Sequence, residues 1–126
     1  MTPLNVLIVD DSLVATQLLQ QSLEELGHKV VMTAKTGAEG ISAYGACNPD
    51  LVTMDITMPG MDGITATKAI LGEYPDARIV MVTSHAQQSM VLDAVKVGAR
   101  GYILKPIKTD KLQEAIARAV GTHAHS

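Results

Sequence analysis

Apolar residues along this chain follow two alternating rhythms. Short stretches are apolar at consecutive positions, as in Val6-Leu7-Ile8-Val9, Val30-Val31-Met32 and Ile79-Val80-Met81-Val82. A strand that is apolar on both sides of its pleat reads as one buried in a parallel sheet covered on both faces. The runs predict strands near 4–9, 29–33, 50–54, 78–82 and 101–104. Between them the spacing turns helical: Ala15, Leu19, Leu23 and Leu26 share one face of a first helix, Met90, Ala94 and Val97 one face of a fourth, and Leu112, Ile116 and Ala119 one face of a fifth. Gly27, Pro49, Pro75 and Gly98 mark where helices stop. A second helix, roughly 37–46, is the weakest, because Gly37, Gly40 and Gly45 each cost about 1 kcal/mol relative to Ala inside a helix.

Five strands alternating with five helices through short connections predict right-handed βαβ crossovers and a parallel sheet with helices on both faces, an α/β doubly wound sandwich. A closed barrel of eight such units needs about 250 residues; this chain has 126. A single domain spanning 1–126, with 121–126 as a tail, is therefore expected.

Composition narrows the functional classes. Hydrophobic residues make up 47% of the chain and charged residues 18%, which excludes intrinsic disorder. Apolar runs fall far short of the roughly 20 residues a spanning helix needs. No Lys or Arg precedes the first apolar run, so the N-terminus does not read as a secretory signal, and a cytoplasmic protein without a membrane anchor is expected. Cys47 is the sole cysteine, which excludes an internal disulfide. The net charge of −3 argues against nucleic acid as a direct ligand. Its distribution is uneven: residues 86–126 carry six cations and three anions, residues 1–85 four cations and ten anions. The basic C-terminal third suits an acidic partner.

In an open α/β sheet, ligands bind outside the carboxyl ends of the strands. Just after the apolar runs stand Asp10 and Asp11, Asp55, Thr83 and Lys105. Three carboxylates, a hydroxyl and an ammonium are thus directed to one rim. Asp10-Asp11-Ser12 by itself is an ordinary helix-capping pattern. Asp55 is harder to explain that way, since it closes a central strand where a lone carboxylate is costly unless a cation meets it. Mutually repelling carboxylates suit a divalent cation, and magnesium fits best, because it binds through one or two carboxylates and leaves positions open for phosphate oxygens. Lys105 and Thr83 would then supply charge and a donor to a phosphoryl group, and Asp55 is the candidate nucleophile for forming an acyl phosphate.

Four segments, Val6-Leu7-Ile8-Val9-Asp10-Asp11-Ser12, Met54-Asp55-Ile56-Thr57-Met58-Pro59-Gly60-Met61-Asp62-Gly63, Val82-Thr83-Ser84 and Lys105-Pro106, resemble those of response-regulator receiver domains, in order and at receiver spacing from Leu4 to Val120. The chain looks most like the stand-alone CheY-type chemotaxis regulators. The resemblance implies a flavodoxin-like (βα)5 fold with strand order 2-1-3-4-5, the order known for flavodoxin and CheY.

It also implies a role for each matching residue. Asp55 would accept phosphoryl from a histidine kinase or histidine phosphotransfer protein. Asp10, Asp11, Asp55 and the backbone carbonyl of Thr57 would bind Mg2+. Lys105 and Thr83 would hold phosphate oxygens, with the Lys105-Pro106 peptide cis. Thr83 and Tyr102 would form the switch, and Thr57 and His85 would tune the phosphoryl lifetime. Asp62-Gly63 and Pro59-Gly60 read as turn and cap. The His123-Ala124-His125 stretch reads as tail. The face made by the fourth helix, fifth strand and fifth helix, with Lys96, Arg100, Tyr102, Lys108 and Lys111, would carry the output: a flagellar motor switch protein, a phosphotransfer domain, a kinase or a second receiver all suit it. Catalysis would be limited to the domain's own phosphorylation and dephosphorylation. A receiver fragment of a longer regulator, or a receiver-fold binding module independent of phosphorylation, are the competing readings.

Overall fold

The computed structural model describes residues 2–84 and 88–121. Its elements run β1 (Asn5–Val9), α1 (Leu13–Glu25), β2 (Lys29–Ala34), α2 (Gly37–Cys47), β3 (Leu51–Asp55), α3 (Gly63–Glu73), β4 (Ile79–Thr83), α4 (Gln88–Val97), β5 (Gly101–Leu104) and α5 (Thr109–Val120). The strands form one parallel sheet in the order β2-β1-β3-β4-β5, the flavodoxin-like topology that the receiver resemblance implies.

Alternation of the pleat divides the apolar runs between two cores. Leu7, Val9, Val52, Met54, Ile79 and Met81 pack with Ala43 and Tyr44 of α2, Ala66 and Ile70 of α3, and Ala94 of α4. Val6, Ile8, Leu51, Val80 and Ile103 pack on the other face against Leu19 and Leu23 of α1 and Leu112, Ile116 and Ala119 of α5. Consecutive apolar residues are needed because each face has its own helical layer. The helical stripes read from the sequence hold: Leu19, Leu23, Ala94, Leu112, Ile116 and Ala119 are buried, and Ala15, Leu26, Met90 and Val97 are half-buried.

Three expectations are corrected. The strands expected near 50–54 and 78–82 each run one residue further, so that Asp55 and Thr83 are their last residues, in register with Val82 and Leu104 respectively. Their backbones stay in the ladder because the sheet continues one residue past the apolar run. The run Val30-Val31-Met32 is not buried on both sides. It lies in an edge strand, half-buried at Val30 and Val31 and exposed at Met32, and Val31 is the extra residue of an irregularity where register shifts between Val6 and Leu7. Such a bulge twists an edge away from further pairing. The glycines of α2 are less a weakness than a condition of packing: a Cβ on Gly40 would stand 2.9 Å from Val9 Cγ2, so the helix lies closer to β1 than any other residue allows.

Caps finish the layers. Ser12, Thr36 and Asp62 each accept a backbone N–H with the side chain at the start of α1, α2 and α3. His28, which sequence reasoning passed over, is buried after α1, and its Nδ1 accepts the Leu4 N–H at 3.0 Å. Burial holds the imidazole below its ordinary pKa. No helix among the described residues is long and apolar enough to cross a membrane.

Candidate functional site

The carboxyl ends of β1, β3, β4 and β5 bring the expected residues to one rim. Asp10 leaves β1 with its N–H still donating to the Ala34 carbonyl, which fixes the side chain beneath the surface. Its Oδ1 accepts the Ser12 N–H at 2.8 Å, and its Oδ2 pairs with Lys105 Nζ at 2.8 Å. Lys105 Nζ also stands 3.7 Å from Asp55 Oδ2. Asp10, Asp11 and Asp55 each place a carboxylate oxygen within 4.8 Å of the others; Asp10 and Asp55 are buried and Asp11 is exposed. Lys105 is anchored at its backbone, where its N–H donates to the Thr83 carbonyl at 2.8 Å and its peptide bond to Pro106 is cis.

Among the described residues, one cation, Lys105, faces the three carboxylates of the cluster. Burial raises the Asp55 pKa to about 6; the Asp10 carboxylate adds to the rise, the Lys105 ammonium opposes it, Asp11 raises it further, and the Thr57 N–H donated to the carboxylate opposes it again. The donor set, hard carboxylate oxygens with one side open to water at Asp11, fits a divalent cation that takes oxygen ligands.

Around this cluster, backbone shape holds Asp55 in place. The Ile56 N–H donates to the Val82 carbonyl, and the Gly63 N–H donates to the Ile56 carbonyl. A side chain at Gly63 would collide with the Asp55 carbonyl oxygen, so glycine is required for the start of α3 to close on the site. Thr83 is buried at the end of β4, while Thr57 is exposed at the rim. Tyr102 does not reach the cluster: it lies on β5 opposite Met81 with 46% of its surface exposed. His85 and the His123-Ala124-His125 stretch lie outside the described residues.

The family described as the response regulator receiver domain matches residues 6–117 of this chain. The chain belongs to that family. The chemotaxis protein CheY of Bacillus subtilis (strain 168) is 45% identical over 115 residues, covering 91% of this chain and 96% of that protein. CheY of Thermotoga maritima is 40% identical over 111 residues, covering 88% and 92%. Among solved structures, a chain in the CheX-CheY-BeF3-Mg+2 complex from Borrelia burgdorferi superposes with a TM-score of 0.86 at 37% identity, over 91% of this chain and 87% of that one. The receiver is accordingly a two-component response regulator, a signalling switch homologous to CheY.

Two surfaces of this receiver frame the site. On α1, directly after Asp11, Leu13, Val14 and Leu18 are each more than 60% exposed. Sequence reasoning followed the buried Leu19–Leu23 stripe and missed these, although three large aliphatics off that stripe were a visible signal. On the far side, Leu92, Val95, Tyr102 and Leu104 are exposed on α4 and β5. A groove of about 410 Å3 runs along the free edge of β5, lined among others by Tyr102, Leu104, Lys108, Lys111 and Arg118.

Proposed function

We propose that this receiver is a phosphorylation-activated chemotaxis regulator in which Asp55 takes a phosphoryl group from a phosphohistidine of a histidine kinase or histidine phosphotransfer protein. The convergence of Asp10, Asp11 and Asp55 around Lys105 carries the reading. An Asp55 oxygen attacks phosphorus, the P–N bond to imidazole breaks, and the donor histidine leaves with the electron pair and takes up a proton. With a pKa of about 6, Asp55 is mostly ionised and nucleophilic at neutral pH.

Asp10, Asp11, Asp55 and the Thr57 carbonyl are the residues that would hold Mg2+, which supplies positive charge against the transferring oxygens. Lys105, already within 3.7 Å of Asp55, pairs with one phosphoryl oxygen. The Thr83 hydroxyl bonds another, and this draws Tyr102 from its exposed position inward as the switch. Hydrolysis of the acyl phosphate resets the protein, with Thr57 and His85 setting its rate.

Exposed Leu13, Val14 and Leu18 beside Asp11 form the apolar seat for the phosphodonor. The output partner docks across α4, β5 and α5, where an apolar strip next to Lys108, Lys111 and Arg118 suits an amphipathic acidic segment. A flagellar motor switch protein is the partner class that the CheY resemblance favours. Such a protein works in the cytoplasm, within the single domain 1–126.

Intact-mass analysis after incubation with acetyl phosphate tests the reading. Native protein is expected to gain one phosphoryl group only with magnesium present, and Asp55→Asn none. A native protein that gains nothing would leave a phosphorylation-independent binding module in its place.

A further inference from the structure

Leu4 joins the sheet just ahead of β1 and is tied from both sides. Its N–H donates to His28 Nδ1 at 3.0 Å, and its carbonyl accepts the Lys29 N–H at 2.9 Å. Thr2 and Pro3 before it are exposed, and a proline has no N–H with which to add a bond. Asn5 after it is held separately: its N–H donates to Asp50 Oδ2 and its carbonyl accepts the Asp50 N–H, each at 2.8 Å. His28 is fixed in turn, buried where Gly27 turns the chain out of α1, with its own N–H donating to the Leu23 carbonyl at 3.0 Å. To accept from Leu4, Nδ1 must be unprotonated, so the neutral ring carries its proton on Nε2. An imidazolium has hydrogens on both nitrogens, and Nδ1 would then face the Leu4 N–H donor to donor.

We propose that His28 is an acid-opened latch on the N-terminal segment: the neutral ring fastens Leu4 to the end of α1, and protonation releases the chain as far as Asn5. The latch sits at the amino end of the sheet, opposite the acidic cluster, and so works apart from that site. Leu4 packs with Leu26 and Val30 against the core between α1 and α5, and its release uncovers an apolar edge there. Burial, and then the like charge of the chain's amino terminus, lower the imidazole from its ordinary pKa of 6.5. The charged side chains on the elements that meet there are Glu24 and Glu25 of α1, Lys29 of β2, Asp50 before β3 and Arg118 of α5, and none of these shifts it. The closed form therefore binds the proton more weakly than the open one: closure is at full strength above pH 6.5 and weakens as pH falls below it.

Residue-resolved hydrogen exchange on 15N-labelled protein, between about pH 8 and pH 5, tests the latch. In native protein the protection factor of the Leu4 amide, which corrects for the pH dependence of exchange itself, is expected to fall about tenfold over that range, the loss of about one hydrogen bond. His28→Asn keeps an acceptor oxygen on a short side chain and does not titrate, so its Leu4 protection is expected to stay within about twofold. The Leu7 amide, inside β1, is expected to keep its protection in both proteins. A Leu4 amide unprotected at the upper pH, one whose protection does not fall, an equal fall in His28→Asn, or a fall shared by Leu7 overturns the latch. Should His28→Asn fail to fold, the His28 ring and Leu4 amide resonances of native protein decide it: a common titration midpoint below 6.5 supports the latch, and separate midpoints overturn it.

Discussion

The neighbouring strands β4 and β5 differ in how far they are covered. All five residues of β4 are buried, from Ile79 to Thr83, whereas β5 buries Ile103 alone and exposes Tyr102 and Leu104. β4 is flanked on both sides by other strands and covered on both faces, while β5 is an edge and leaves its α4 side open. A close-packed interior holds carboxylates to a fixed geometry because it has no alternative arrangement of similar energy. A half-covered edge can rearrange at small cost, which is what a switch requires. On the proposed reading, the covered strands would hold the reacting groups in place and the half-exposed edge beside them would report the result.

The contrast can be broken first by truncation. Ile79→Ala in β4 is expected to cost ~3–4 kcal/mol, as large-to-small changes in a sealed core do, whereas Leu104→Ala in β5 is expected to cost less than ~1 kcal/mol. Urea denaturation of both variants measures the gap, and equal costs would show that β5 is as much a part of the core as β4.

Next in size is the electrostatic strain on the rigid side. Asp55 holds its proton more tightly in the folded protein, at about 6, than its ordinary value of 3.8. Ionising it therefore works against the fold: the cost is absent below pH 3.8, grows up to about pH 6, and is constant above. In metal-free buffer, Asp55→Asn is expected to be more stable than native by up to ~3 kcal/mol at pH 8 and by little at pH 4. The same gain at both pH values would place its origin in packing and not in charge.

The smallest expected effect sharpens the picture of the platform itself. Thr53 of β3 is 1% exposed, and its hydroxyl has no hydrogen-bond partner among the described residues. Thr53→Val removes that orphan polar atom and is expected to raise stability by about 1 kcal/mol. A loss of similar size in thermal denaturation would mean that the hydroxyl is satisfied in solution.

Much of this was legible in the residues alone. Asp10, Asp11, Asp55, Thr83 and Lys105 were found because a parallel sheet directs the ends of its strands to one rim, and the apolar runs showed where each strand stops to within one residue. The exposure of Val30-Val31-Met32 was not legible, since a run of β-branched residues looks the same at an edge as in the centre. His28 escaped because a single imidazole carries no period, and its partner, the Leu4 N–H, lies 24 residues away.

The sequence by itself determined the number of layers, the order of elements and the membership of the acidic cluster, because these follow from periodicity and from chemistry that few residue types can perform. Tertiary structure alone decided that Lys105 rests on Asp10 at 2.8 Å and stands back from Asp55, that Gly40 and Gly63 are required by close approach, and that Tyr102 faces outward. These depend on distances between segments far apart in the chain, which no local pattern encodes.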